Sequence, residues 1–164
     1  LWRGILLWAT SEKIVSFRSS IIVIISVRKV IQRLQSVFLF LAFLLNGSIF
    51  FNALYSHAVE DPRSWIGITF AILLTIASLA SLGCIFLYKN RENQLNWVNR
   101  LLGPQVVTTG FAVGIYISLG GFGTFLWDET IGLGILFLAF AFQLYARKKI
   151  RDDIDLVKSM DRIR

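Results

Sequence analysis

Few residues in this chain carry the side chains from which active sites are built. It has one histidine, His57, and one cysteine, Cys84. Metal sites recruit several Cys and His ligands together, so no Cys/His cluster can assemble here. Cys84 has no second cysteine to pair with, and within an apolar run it reads as a small packing residue. Two acidic pairs, Glu60/Asp61 and Asp128/Glu129, are neighbours in sequence. Sequence neighbours do not by themselves converge on a substrate as acid and base, and solvated charge is the expectation for both. His57, beside the first pair, is expected to be solvated as well. No G-x-x-x-x-G-K, G-x-S-x-G, H-E-x-x-H or C-x-x-C pattern occurs. The G-F-G at 121–123 is not completed into a dinucleotide loop, because Leu126 stands where the last glycine would be. The residues therefore predict no catalytic, cofactor-binding or metal site, and a protein that is not an enzyme.

The remaining chemistry lies in uncharged polar and small residues inside apolar runs. Asn46, Gly47, Ser48 and Asn52 fall within one such run. Polar side chains in a membrane either line a solute path or hydrogen-bond between helices, the latter contributing ~0.6–2 kcal/mol each. No ionisable residue accompanies these, which favours packing. In the next run Ala77, Ala80, Ser81 and Cys84 recur at i, i+3, i+4 and i+7, a stripe of small side chains on one helix face. A G-x-x-x-G, Gly110 to Gly114, marks the third. Ala77, Ser81 and Cys84 are accordingly expected to pack on Gly110 and Gly114. The G-G-F-G at 120–123 should be the least regular part of its helix.

Four charge-free runs hold these residues, at 34–56, 64–88, 101–127 and 130–146. Each approaches or exceeds the ~17–25 residues of a spanning helix, and none alternates as a membrane β-strand would. Hydrophobic residues make up 55% of the chain and mean hydropathy is +0.66. The second run is bounded by Trp65 and Tyr88, ring types that favour the headgroup level. The fold class is all-α: an integral membrane four-helix up-down bundle over 30–146, with a cytoplasmic amphipathic C-terminal helix over 147–164.

The formal net charge is +7. All of the 17 Lys and Arg except Arg63 lie before the first run, between the second and third, or after the fourth. The positive-inside rule accounts for that asymmetry, placing both termini in the cytoplasm and excluding nucleic acid as the default partner. In the tail, Ile150, Ile154 and Val157 recur at i, i+4 and i+7 among mixed charges. Together with Trp97 of the inner loop they are the candidate docking residues. Bases in the tail are offset by Asp152, Asp153, Asp155 and Asp161, which favours a protein contact over lipid adsorption. Residues 1–29 hold only short apolar runs. They are read as upstream sequence, with translation starting at Val30, or as an interfacial arm.

Three stretches resemble a known family. Residues 30–36, V-I-Q-R-L-Q-S, are similar to an opening M-I-Q-R-I-Q-S; residues 86–94, F-L-Y-K-N-R-E-N-Q, resemble its central cytoplasmic loop; and the closing L-V-K-S-M-D-R-I-R resembles its terminal L-V-[KR]-S-x-D-R-[IL]-R. The family is the domain of unknown function 4293, typical of Bacteroidota. The resemblance covers 30–164 and implies a four-helix inner-membrane protein, with no activity or site residues attached. Membrane lipids, a protein partner at the cytoplasmic face and a homo-oligomer are the expected associations. The function expected is a non-enzymatic subunit or scaffold that docks partners through loop and tail; the alternative is a small transporter or channel component.

Overall fold

The computed structural model describes residues 34–120 and 126–161, and these are helical almost throughout. Five α-helices follow one another: α1 (Leu34–Phe51, its last three residues a 3-10 turn), α2 (Ala53–Glu60), α3 (Ser64–Phe86), α4 (Arg91–Ser118) and α5 (Trp127–Asp161). All but α2 are long and apolar enough to cross a membrane, so this is a multi-pass membrane protein. Short connections make successive spans antiparallel. Residues 1–29, the start at Val30 and the 121–123 glycines lie outside the described residues.

The helix boundaries depart from the charge-free runs for identifiable reasons. The first run does not continue to 56. It breaks at Asn52, whose extended backbone ends the 3-10 turn and whose side chain accepts a 2.9 Å bond from the Leu54 N–H, capping α2. Four residues expected in an outer loop, His57 to Glu60, are thus the last turn of α2. The expected inner loop is likewise mostly helix: Asn90 caps α4 by accepting from the Asn93 N–H at 3.1 Å, and α4 starts at Arg91. The tail is not a separate helix but the continuation of α5. At ~1.5 Å per residue α5 is about 52 Å long, some 20 Å more than a ~30 Å hydrocarbon core.

Unlike a water-soluble bundle, the protein has an apolar outer surface, and several polar residues lie inside. Ile68, Ile72 and Ile76 on α3, Val106 and Val107 on α4, and Phe137 and Leu138 on α5 are exposed. Gln35, Asn46, Ser81, Gln94, Gln105, Thr108 and Gln143 are buried. Lipid tails solvate the first set, while backbone and side-chain partners must satisfy the second.

Two apolar clusters fill the interior. One joins Ile49, Leu54, Phe70, Leu74, Ala112, Ile115 and Leu136. The other joins Leu39, Cys84, Val98, Leu101, Ala146, Ile150 and Ile154. Between members of the two clusters each spanning helix carries buried polar residues: Asn46 on α1, Ser78 and Ser81 on α3, Gln105, Thr108 and Thr109 on α4, and Gln143 on α5.

The glycine contact differs from expectation. Ala77, Ser81 and Cys84 are buried as a stripe, but Gly110 and Gly114 are exposed, and a Cβ at either would meet nothing within 4 Å. What α4 presents to α3 is Thr108, whose hydroxyl donates to the Leu73 carbonyl at 3.3 Å and to Pro104 at 2.8 Å. The close approach occurs instead at Gly67. A Cβ there would lie 2.9 Å from the Ala58 carbonyl oxygen and 2.9 Å from the Val59 Cα, so only glycine lets α2 and α3 touch.

Candidate functional site

Three levels of polar structure cross the bundle. At the middle level four of the polar residues between the apolar clusters, one from each spanning helix, bond to one another. Asn46 Nδ2 donates to Gln105 Oε1 at 3.0 Å, and Gln105 Nε2 returns a bond to Asn46 Oδ1 at 3.2 Å. Gln143 Nε2 donates to the same Gln105 Oε1 at 2.9 Å and to Ser81 Oγ at 3.1 Å. Asn46 Nδ2 also reaches the Ala42 carbonyl at 3.0 Å, and Ser81 Oγ donates to Ala77 at 2.7 Å. The result is a clasp with one side chain from each spanning helix. Its second amide oxygen on the α5 side, Gln143 Oε1, is buried without a partner in this structure. Sequence reading had singled out Asn46 and Ser81 but not Gln105 or Gln143. Each interrupts an apolar run with a polar side chain, Gln105 together with Thr108 and Thr109, and that interruption is the available signal.

At the level of α2, the acidic pairs are not both solvated. Glu129 is 5% exposed, and its Oε1 lies 2.9 Å from His57 Nε2. His57 is itself only partly exposed, with Nδ1 3.9 Å from Glu60. A carboxylate buried at a helix start is stabilised by the N-terminal dipole and by a donor from α2. Asn52 joins the same end by donating from Nδ2 to the Asp128 carbonyl at 3.0 Å. Gly132 leaves the room for it, since a Cβ there would collide with the Asn52 amide.

At the opposite end the α3–α4 connection meets the extension of α5. Arg91 at the head of α4 is ion-paired with Asp153, which is 2% exposed. Gln94 is fully buried and donates from Nε2 to the Cys84 carbonyl at 3.0 Å. Beyond them, Lys158 Nζ and Glu92 Oε1 lie 3.4 Å apart in the open.

This end holds the expected docking residues, and the structure distributes them differently. Ile150 and Ile154 are buried within this chain, in the cluster with Leu39, Val98 and Leu101. They are therefore not available to a partner. Their i, i+4 face is covered because α4 begins early enough to lie alongside it. Val157 is half-buried. Trp97 is 48% exposed, with the Arg100 guanidinium 5.7 Å above its ring. Leu156, on the other side of α5 from Ile154, is the exposed apolar residue of the extension. Among the described residues, no three His, Cys, Asp or Glu side chains group so as to hold a metal.

The family model described as Domain of unknown function (DUF4293) matches residues 31–163. No curated protein and no solved structure matches the chain. All three stretches that carry the resemblance, at 30–36, 86–94 and 153–164, fall almost wholly within the matched residues, and all four spanning helices do so entirely. Over more than three quarters of its length, the chain belongs to the DUF4293 family.

Proposed function

We propose that the protein is a non-enzymatic subunit of a bacterial inner membrane, and that its α3–α4 end is a fixed cytoplasmic surface for docking a protein partner. The observation that carries this is the ion pair between the buried Asp153 and the partly buried Arg91. Leaving a buried carboxylate such as Asp153 without its partner is costly, so the pair holds two elements in a single arrangement. Here it holds the projecting turns of α5 against the head of α4. A surface fixed before binding loses less conformational entropy when a partner arrives. The exposed residues on it are mixed in charge around Leu156, which suits a protein better than a lipid sheet.

The polar residues that motivated a transport role are satisfied within the protein, Asn46 by Gln105 and the Ala42 carbonyl, Ser48 by the Leu45 carbonyl and Asn52 by Leu54 and Asp128, which supports a sealed bundle over a solute path. The docking role is tested by placing a photo-crosslinking phenylalanine analogue at Leu156 and irradiating cells. One discrete protein adduct is expected, and it should weaken when Asp153→Asn loosens the extension. Adducts only to lipid, or none, would overturn the proposal.

A further inference from the structure

A second feature at the same end is independent of any protein partner. Between α3 and α4 lies a groove of about 430 Å³, within the ~300–1,000 Å³ typical of ligand sites. Ile76, Ala80 and Gly83 form its α3 wall, and Trp97, Leu101 and Pro104 its α4 wall. Arg100 is the charged residue of its lining. The groove exists because small residues sit where larger ones would close it: a Cβ built at Gly83 meets nothing within 4 Å. Ala80 and Gly83 thus open a space between the helices here, whereas Gly67 brings two helices together.

We infer that this groove binds one anionic phospholipid, an acyl chain lying along Ile76, Ala80 and Gly83 and the phosphate held by Arg100. The walls are apolar side chains of spanning helices, so hydrocarbon is the solvent they meet, and a water-soluble ligand would find almost nothing to bond. The charge at the rim supplies the complement. Arg100 has no ion pair among the described residues, although the extension of α5 carries several aspartates. It is also the last charge before the charge-free stretch of α4. Trp97 lies one turn nearer the helix end, and its ring type favours the headgroup level. Arg100 therefore stands at phosphate depth, its guanidinium over the Trp97 ring, with a planar donor fork that matches two phosphate oxygens. Phosphatidylcholine offers the same phosphate beside a fixed positive charge, which Arg100 would repel.

The test uses the purified full chain in detergent, titrated with phosphatidylglycerol or phosphatidylcholine, with bound lipid counted by native mass spectrometry. One phosphatidylglycerol per chain is expected, preferred over phosphatidylcholine by about tenfold, the effect of one charge-assisted hydrogen bond. Arg100→Gln should abolish the preference. Gly83→Phe should fill the groove from a position with open space and reduce retention of both lipids, while circular dichroism and the lipid-free melting temperature stay as in the parent. Equal binding of the two lipids by the parent chain overturns the inference. So does full retention in Gly83→Phe, or a photo-crosslink from position 76 that captures a second copy of the chain instead of lipid.

Discussion

At the scale of single residues, the centre of the bundle turns on Gln105. Its Oε1 accepts from both Asn46 and Gln143, and its Nε2 donates to Asn46, so it joins three of the four spanning helices. Replacing it by Leu leaves the Asn46 Oδ1 without its donor and takes one of two acceptors from Gln143. Asn46 Nδ2 keeps the Ala42 carbonyl. Gln143→Leu removes two donated bonds but also the buried acceptor that lacks a partner. Gln105→Leu should therefore destabilise the protein more, by about 1–3 kcal/mol for stranded buried groups. Gln143→Leu should cost about 0.6 kcal/mol per lost interhelical bond. Denaturant unfolding in detergent, with an Asn46→Leu/Gln105→Leu double-mutant cycle, measures both; equal costs would mean that the clasp is not centred on Gln105. Half of this clasp escaped the sequence. Asn46 stood out because Gly47, Ser48 and Asn52 cluster with it. Gln143 is solitary, Gln105 is followed by Thr108 and Thr109, and no periodicity shows that four polar residues on separate helices share one level.

At the scale of elements, the four spanning helices were legible in type and number, while α2, the helix ends and the contact faces were not. The charge-free runs located each crossing, because hydrocarbon excludes charge. They could not locate helix ends, since α4 starts ten residues before its run and α5 continues through its charges to Asp161. Outside the membrane, helices accept charge readily, and caps such as Asn90 decide the boundary. The glycine spacing misled for a related reason. G-x-x-x-G allows close approach but does not require it, and on α4 the polar Gln105 and Thr108 take the inner face, turning Gly110 and Gly114 outward. Gly114→Leu should accordingly leave thermal stability unchanged or slightly raised, because a Leu replaces a poor helix former in open space. Gly67→Ala should instead lower stability by about 1–3 kcal/mol, the usual cost of overpacking, as its Cβ meets backbone of α2. Parallel melting curves in one detergent would separate the two; a larger loss at 114 than at 67 would contradict the contact assignment.

At the scale of the whole molecule, orientation follows from the separation of charge between its two ends. The α3–α4 end carries Lys89, Arg91 and Arg100, and the tail adds Arg147, Lys148, Lys149, Arg151 and Lys158. The opposite end has Arg63 against Glu60, Asp61, Asp128 and Glu129. The fold commits both sets, because α5 is one helix from Trp127 to Asp161 and cannot place its two ends on one side. Basic residues flanking spans resist translocation, whereas acidic ones contribute little to orientation, so the α3–α4 end is expected in the cytoplasm. The chain offers a clean way to check this, since its one cysteine, Cys84, is buried at 3% exposure. Ser64 opens α3 at the acidic end and Ser159 lies in the last turn of α5, both exposed. In intact spheroplasts a membrane-impermeant maleimide should label Ser64→Cys and spare Ser159→Cys, with both labelled after lysis. The parent chain, keeping Cys84, should stay unlabelled until it is denatured. Labelling of Ser159→Cys alone before lysis would invert the protein in its membrane. The docking surface would then face outward, and the cytoplasmic assignment would fall with the orientation.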